Sequence, residues 1–370
     1  MAARPPWIAL LPALLSGHVL AAPGINLQPP ATLVARQIYD LHTLVLWICV
    51  GIFVVVFAPM AWALWRHRRS VHAKAHQFHE HPTLEIAWSI APFVILIFMA
   101  WPATNTVLAM KDTTNPDLTI KATGYQWKWE YEYLGEGVRF ISTLATKPAQ
   151  IANTEQKSDD YLLAVDKPLV VPTGKKVRMV VTANDVIHAW WVPAFGVKQD
   201  AIPGFIRDTW FTVDQPGTYR GQCAELCGVG HGFMPVVVVA MTPPDYAAWL
   251  DKQKKEALEA AASGSRTWAL ADLRDKGEKV FSANCAACHQ ASGAGIPGTF
   301  PALDGSPLVN GPKAGHLERV FHGKPGTAMQ AFGAQLPDLD IAAVITYERN
   351  AWHNHTGDAV QPAEVAALRK

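Results

Sequence analysis

The run Gly221-Gln222-Cys223-Ala224-Glu225-Leu226-Cys227-Gly228-Val229-Gly230-His231-Gly232-Phe233-Met234 packs two thiols, an imidazole and a thioether into twelve positions. A second imidazole stands upstream at His188, in Asn184-Asp185-Val186-Ile187-His188-Ala189-Trp190. Soft thiolate and thioether ligands select copper, and one cysteine, two histidines and a weak methionine would suffice for a mononuclear blue site. The second cysteine changes the count, because two thiolates can bridge two copper ions and let one electron delocalise over both. Bond lengths then change little on reduction, which lowers the barrier to electron transfer. Three other readings compete for the same residues. A zinc site of two cysteines and two histidines would have no use for Met234. A Cys223–Cys227 disulfide would suit an oxidising compartment. A copper-delivery protein with a C-x-x-x-C pair would not be expected to carry the second motif of this chain.

That motif is Cys285-Ala286-Ala287-Cys288-His289. In C-x-x-C-H, two thiols one helical turn apart each form a thioether to one porphyrin, and the adjacent histidine is aimed at the iron. Met329, in Gly326-Thr327-Ala328-Met329, is the only methionine after these cysteines. A thioether is the axial ligand that raises a haem's potential, so Met329 is the expected sixth ligand. A histidine among His316, His322, His353 and His355 is the alternative, and a thioredoxin-like disulfide is the alternative use of the cysteine pair. The fifth cysteine, Cys49, lies in an apolar run and receives no role.

Upstream of the first motif, short β-branched and aromatic segments run from Asp117 to about Met241, namely 118–123, 177–182, 209–213 and 236–240. Turns such as Pro172-Thr173-Gly174 and Gln215-Pro216-Gly217 separate them, as in a β-sandwich or barrel. Residues 245–262 are strong helix formers ending at Ser263-Gly264-Ser265, which reads as a helical linker. Helix-like stretches at 271–283 and 339–351 enclose a Gly/Pro-rich middle, a small α domain built around something other than its own modest core.

The N-terminal third is a membrane anchor. Residues 1–22 carry Arg4, an apolar stretch and the small pair Ala21-Ala22, which resembles a secretory signal; a retained extra anchor is the alternative. Apolar runs at about 41–65 and 84–108 are each long enough to cross a bilayer, with Pro92 and Pro102 tolerable there. Arg66, Arg68, Arg69 and Lys74 in the loop between them place that loop in the cytoplasm, so everything after about residue 110 faces outside. The same loop holds His67, His72, His76, His79 and His81, read as a solvated hairpin in preference to a metal-binding tract. Hydrophobic residues at 50% and 14 tryptophans fit a membrane protein with interfacial aromatics. A formal charge of +1, from 32 basic and 31 acidic residues in a chain of 370, leaves no field to hold a polyanion, so nucleic acid is excluded as a partner.

At these residues the sequence closely resembles subunit II of the haem-copper cytochrome c oxidases, in the caa-type form with a fused C-terminal cytochrome c domain. The resemblance covers nearly the whole chain. It implies a multi-domain membrane protein: a two-helix transmembrane hairpin, an all-β cupredoxin-like Greek-key domain and an all-α class I cytochrome c-like domain. The expected division is a signal peptide at 1–22, the N-terminal segment and hairpin at 23–112, the copper domain at 113–244, the linker at 245–267 and the haem domain at 268–370.

By the same resemblance, His188, Cys223, Cys227, His231, Met234 and the Glu225 main-chain carbonyl hold a dinuclear copper A centre. The Glu225 carboxylate reaches a magnesium or manganese ion at the subunit I interface. Cys285, Cys288, His289 and Met329 hold one covalent haem c. Trp127, in Gly124-Tyr125-Gln126-Trp127-Lys128-Trp129-Glu130-Tyr131, would receive electrons for the copper; Tyr125 and Lys128 depart from the family's pattern there. Read as one strand, that run puts Gln126, Lys128 and Glu130 on the face opposite Trp127 and Trp129. Glu85 matches a carboxylate at the mouth of a proton-uptake channel, although an acidic residue at a helix start is also at home there unaided. The segment 192–204 is expected near subunit I. The implied function is a relay in a terminal, proton-translocating oxidase of the bacterial inner membrane, its copper and haem domains periplasmic. Electrons would pass from a donor, a c-type cytochrome or an upstream respiratory complex, through haem c and copper to subunit I, with subunit III as a further neighbour. No residue of this chain is expected to reduce oxygen.

Overall fold

The computed structural model describes residues 26–68, 70, 79–263 and 266–369. The expected signal segment, together with Arg69, His72, Lys74 and His76 of the loop, lies outside them.

Two long helices, α1 (Leu33–Arg66) and α2 (Pro82–Lys111), lie against each other with their apolar side chains facing outward. Trp47, Val55, Trp65, Phe93 and Trp101 are all more than 60% exposed, a surface that only lipid or other membrane helices can cover. At 34 residues α1 is about 51 Å long, well beyond the roughly 30 Å of a hydrocarbon core. It therefore extends past the apolar run, and the extra turns have a purpose. Thr32 caps α1 by accepting from the Ala35 N–H (3.0 Å) and donates its hydroxyl hydrogen to Phe195 O (2.8 Å), while Val34 and Ala35 are buried. Arg36 pairs with Asp214. At the same end of the hairpin, Trp210 Nε1 donates to Ala109 O in the last turn of α2 (3.0 Å).

The central domain is a sandwich of two five-stranded sheets. One is ordered β3-β2-β1-β5-β8, from β1 (Leu118–Tyr125), β2 (Lys128–Tyr133), β3 (Val138–Ser142), β5 (Val177–Ala183) and β8 (Arg207–Phe211). The other is ordered β4-β10-β9-β6-β7, from β4 (Leu169–Pro172), β6 (His188–Val192), β7 (Val197–Ala201), β9 (Gly217–Cys223) and β10 (Pro235–Met241). A single turn, α3 (Pro148–Ile151), lies in the connection from β3 to β4. Period-two alternation drives the sandwich: Val177, Met179, Val181 and Ala183 of β5 point inward to Trp129, Trp190, Phe195 and Phe211. The helix α4 (Pro243–Ser263) leaves β10 and packs Tyr246, Trp249 and Leu250 on the same core.

The run 124–131 is not one strand, as its alternation suggests. Tyr125 pairs with Lys128 across a tight hairpin, so Gln126 and Trp127 are its turn residues. Every residue from Lys128 to Tyr131 is buried, with no solvent face. The reason lies in the C-terminal domain, which covers the hairpin's other side.

That domain consists of α5 (Leu270–Asn284), α6 (Ala286–His289), α7 (Pro307–Asn310), α8 (Lys313–His322), α9 (Asp338–Asn350) and α10 (Pro362–Ala366). α5 and α9 cross so closely that a Cβ on Gly277 would stand 2.1 Å from Ala343 O. The domain sits on the β1–β2 hairpin through polar contacts. Lys128 Nζ donates to Asn284 Oδ1 (3.0 Å) and lies 4.8 Å from the centre of the Phe332 ring. Arg139 joins Glu130 (2.7 Å) to Ala334 O (2.8 Å).

Candidate metal and haem sites

The end of β9 and the loop after it carry Cys223, Cys227, His231 and Met234, and β6 begins at His188; the register of β6 on β9 brings these ends together. The two sulfurs are 3.9 Å apart, about twice the roughly 2.0 Å of a disulfide. His188 Nδ1 lies 4.0 Å from Cys223 Sγ, while His231 Nδ1 and Met234 Sδ each lie 3.5 Å from Cys227 Sγ. Glu225 O is 3.4 Å from Cys223 Sγ, and the Glu225 side chain is exposed. All six expected donors thus line the sulfur pair, His188 and Glu225 O beside Cys223, His231 and Met234 beside Cys227.

The geometry around each ring assigns its free nitrogen. Asp185 Oδ1 holds His188 Nε2 at 2.8 Å, which turns Nδ1 toward the sulfurs, the arrangement by which a carboxylate orients a metal-binding imidazole. Burial lowers the His188 pKa, but hydrogen bonds to Asp185 and Cys223 outweigh it and hold it above the ordinary value. The thiols behave as a pair. The hydrogen bond from Cys227 draws Cys223 well below the usual thiol range against the effect of burial, and the same contact with burial pushes Cys227 up. Two facing thiols share one proton, and a bound cation would displace it. The soft sulfur-rich donor set, Met234 included, fits copper.

Trp127 lies directly on this loop. Its Nε1 and Gln126 Nε2 both donate to Cys227 O, at 3.1 and 2.8 Å. A Cβ on Gly230 would stand 2.3 Å from the Trp127 ring, so glycine is required for the indole to approach. The indole is half-buried and edges the sandwich core.

In the C-terminal domain, α5 leads into Cys285 and α6 carries Cys288 and His289. His289 is buried and its Nδ1 bonds Pro301 O at 2.9 Å, leaving Nε2 as the nitrogen available to iron. Cys285 and Met329 both pack on the core cluster of Phe281, Val320 and Phe332. Half-buried cysteines, a fixed imidazole and a thioether on one core fit a covalent haem. Of the histidines weighed against Met329, His316 Nε2 meets Glu348 (2.8 Å) with Nδ1 buried and without a hydrogen-bond partner, His322 Nε2 meets Glu318 (3.3 Å) and His353 Nδ1 meets Asp304 (2.8 Å), while His355 is exposed.

Glu85 stands apart, in the first turn of α2, where its Oε1 accepts from the His81 N–H at 3.1 Å. Two residues that sequence reading left without roles enter here. Asp185 could have been found from its place three residues before His188. Gln330, whose amide nitrogen lies 3.0 Å from Asp185 Oδ2, had only its adjacency to Met329 to mark it.

Comparison with known proteins matches the profile "Cytochrome C oxidase subunit II, transmembrane domain" over residues 21–105 and "Cytochrome C oxidase subunit II, periplasmic domain" over 118–241. Residues 272–347 match "Cytochrome C oxidase, cbb3-type, subunit III". Cytochrome c oxidase subunit 2 of Cereibacter sphaeroides is 38% identical over 244 residues, covering 62% of this chain and 80% of the relative. That of Zea mays is 38% identical over 231 residues, covering 62% and 89%. A crystal structure of the periplasmic domain of subunit II from Bradyrhizobium japonicum is 43% identical, covering 39% of this chain and 98% of that one, with a TM-score of 0.35. From the membrane hairpin through the loop of Cys223 and Cys227, and on into the C-x-x-C-H domain, the chain belongs to the cytochrome c oxidase subunit 2 family, in a form with a cytochrome c domain fused at its C-terminus.

Proposed function

We propose that this subunit carries electrons from an outside donor, through a covalent haem c, to a dinuclear copper centre and on to subunit I of a membrane-bound terminal oxidase. The observation that carries the reading is the gathering of His188, Cys223, Cys227, His231, Met234 and the Glu225 carbonyl around two facing sulfurs, in a chain that also bonds His289 Nδ1 to Pro301 O and so leaves Nε2 for iron beside Cys288. When bound, the two groups would supply one-electron chemistry. The residues do the rest. Asp185 fixes the His188 tautomer, Pro301 O fixes that of His289, and Cys285 and Cys288 anchor the porphyrin through thioethers. Met329 would supply a thioether to the iron, and Trp127 would be the conduit to the copper loop.

Several finer assignments belong to the same reading. The copper and haem domains face the periplasm of a bacterial inner membrane, an orientation that the Arg-rich loop supports. The exposed Glu225 carboxylate contributes to a magnesium or manganese site against subunit I. Leu226, Val229, Phe205 and Ile206, all at least 60% exposed beside the copper loop and the segment 192–204, offer the apolar face to subunit I. Glu85 lies at the mouth of a proton-uptake route, and subunit III and a c-type cytochrome or upstream respiratory complex complete the partners.

Purifying the oxidase with its subunit I tests the reading. Copper should be found at two per chain, and haem should stay attached to this subunit in acidified organic solvent. Zinc in place of copper, or complete release of the pigment, would refute it.

A further inference from the structure

One side chain ties the loop of Met329 to the copper ligands. Gln330 follows Met329 directly, and both hydrogens of its amide cross to the copper domain, one to Gln126 O at 3.1 Å and one to Asp185 Oδ2 at 3.0 Å. Gln335 Nε2 donates to the amide oxygen at 3.1 Å, which settles which end of the amide faces the copper domain. Asp185 is divided to match. Its Oδ2 also accepts from the Gln126 N–H at 2.8 Å, while Oδ1 accepts from the Val186 N–H at 2.7 Å and meets His188 Nε2 at 2.8 Å. One carboxylate, with its side chain 15% exposed, therefore orients a copper-ligand imidazole with one oxygen and receives the haem domain with the other. A second branch runs from Gln330 to the Gln126 carbonyl and, through the Gln126 side chain, to Cys227 O at 2.8 Å. Lys128 and Arg139 hold the same two domains together but bond to neither Asp185 nor Cys227.

We propose that Gln330 is the positioning residue of the internal electron transfer, coupling the Met329 loop to the Asp185–His188 pair and to Cys227 so that the two centres are held in transfer contact. This rests on the relay reading above. One electron passes per event, the haem side being oxidised and the copper side reduced, and no bond of Gln330 is made or broken.

The test uses the intact oxidase with both centres loaded. Q330E keeps the shape but turns a carboxylate oxygen toward Asp185 and the Gln126 carbonyl, and Q330A removes the side chain. Haem-to-copper transfer after flash reduction of the haem should slow in both, because the bonded contact between the two domains becomes about tenfold less favoured, the factor that one charge-assisted hydrogen bond is worth. Amide hydrogen exchange at Gln126 and Val186 should quicken in both, while in Q330A, which adds no charge, the copper electron paramagnetic resonance pattern and the potentials of both centres stay as in the parent. Parent-like transfer and parent-like exchange in Q330E would overturn the assignment. A parent enzyme with no haem-to-copper transfer at all would overturn the relay itself, and the assignment with it.

Discussion

Two thiols 3.9 Å apart cannot both ionise cheaply without a cation between them, which makes each cysteine indispensable to the other. In C227S the bridge is lost, and the multi-line electron paramagnetic resonance pattern of an electron shared over two coppers should give way to that of a single ion or vanish. An unchanged spectrum would remove Cys227 from the ligand set. Lys128 makes a different case. Burial drives its pKa from 10.5 down to about 8. Between those values the unfolded chain holds more protons than the folded one, so this residue makes stability rise with pH from about 8 to about 10.5. Thermal unfolding of the parent and K128M across that range should show the parent gaining relative to the variant; parallel curves would place the ammonium in water. The copper ligands were legible in sequence because four of them fall within twelve positions and their chemistry is soft. Gln330 was not, because it meets Asp185 across 145 residues and its type carries no metal signature, while Asp185 was marked only by its place three residues before His188.

Strands and helices were legible wherever one face meets the core and the other meets solvent. The segments expected at 177–182 and 271–283 lie within β5 (Val177–Ala183) and α5 (Leu270–Asn284); 236–240 lies within β10 (Pro235–Met241), which is covered on both faces and was legible from its unbroken run of valines. The run 124–131 misled because it turns at Gln126 and Trp127 and because both faces of β2 are covered, so Lys128 and Glu130 are buried along with Trp129 on the opposite face. The crossing of α5 on α9 was also invisible, since a glycine inside a helix shows its purpose only beside the element it touches. With a Cβ at Gly277 forced to 2.1 Å from Ala343 O, G277A should cost about 2–3 kcal/mol through helix displacement. Thermal unfolding monitored at the haem absorption band is the measurement, and a midpoint equal to the parent's would show that the helices can part freely.

At the scale of the whole molecule, the apolar hairpin and the copper domain are joined through the α1 cap on Phe195 O and the Trp210 bond to α2. The haem domain lies over the hairpin of Gln126 and Trp127. Removing residues after Ser263 should therefore slow reduction of copper by an external c-type cytochrome, since the domain that takes up the electron is gone and buried charges are uncovered. Equal rates with and without the domain would deny it any part in supply. One further consequence comes from α4. Because Tyr246, Trp249 and Leu250 stitch that helix to the sandwich, only residues 264–269 separate its end from α5. A leash so short keeps the local concentration of the haem domain near the copper in the millimolar range or above. The last hop to copper is then indifferent to how many shuttles swim in the surrounding compartment and to the ionic strength they swim in; only the first collision, between donor and haem, answers to crowding and salt.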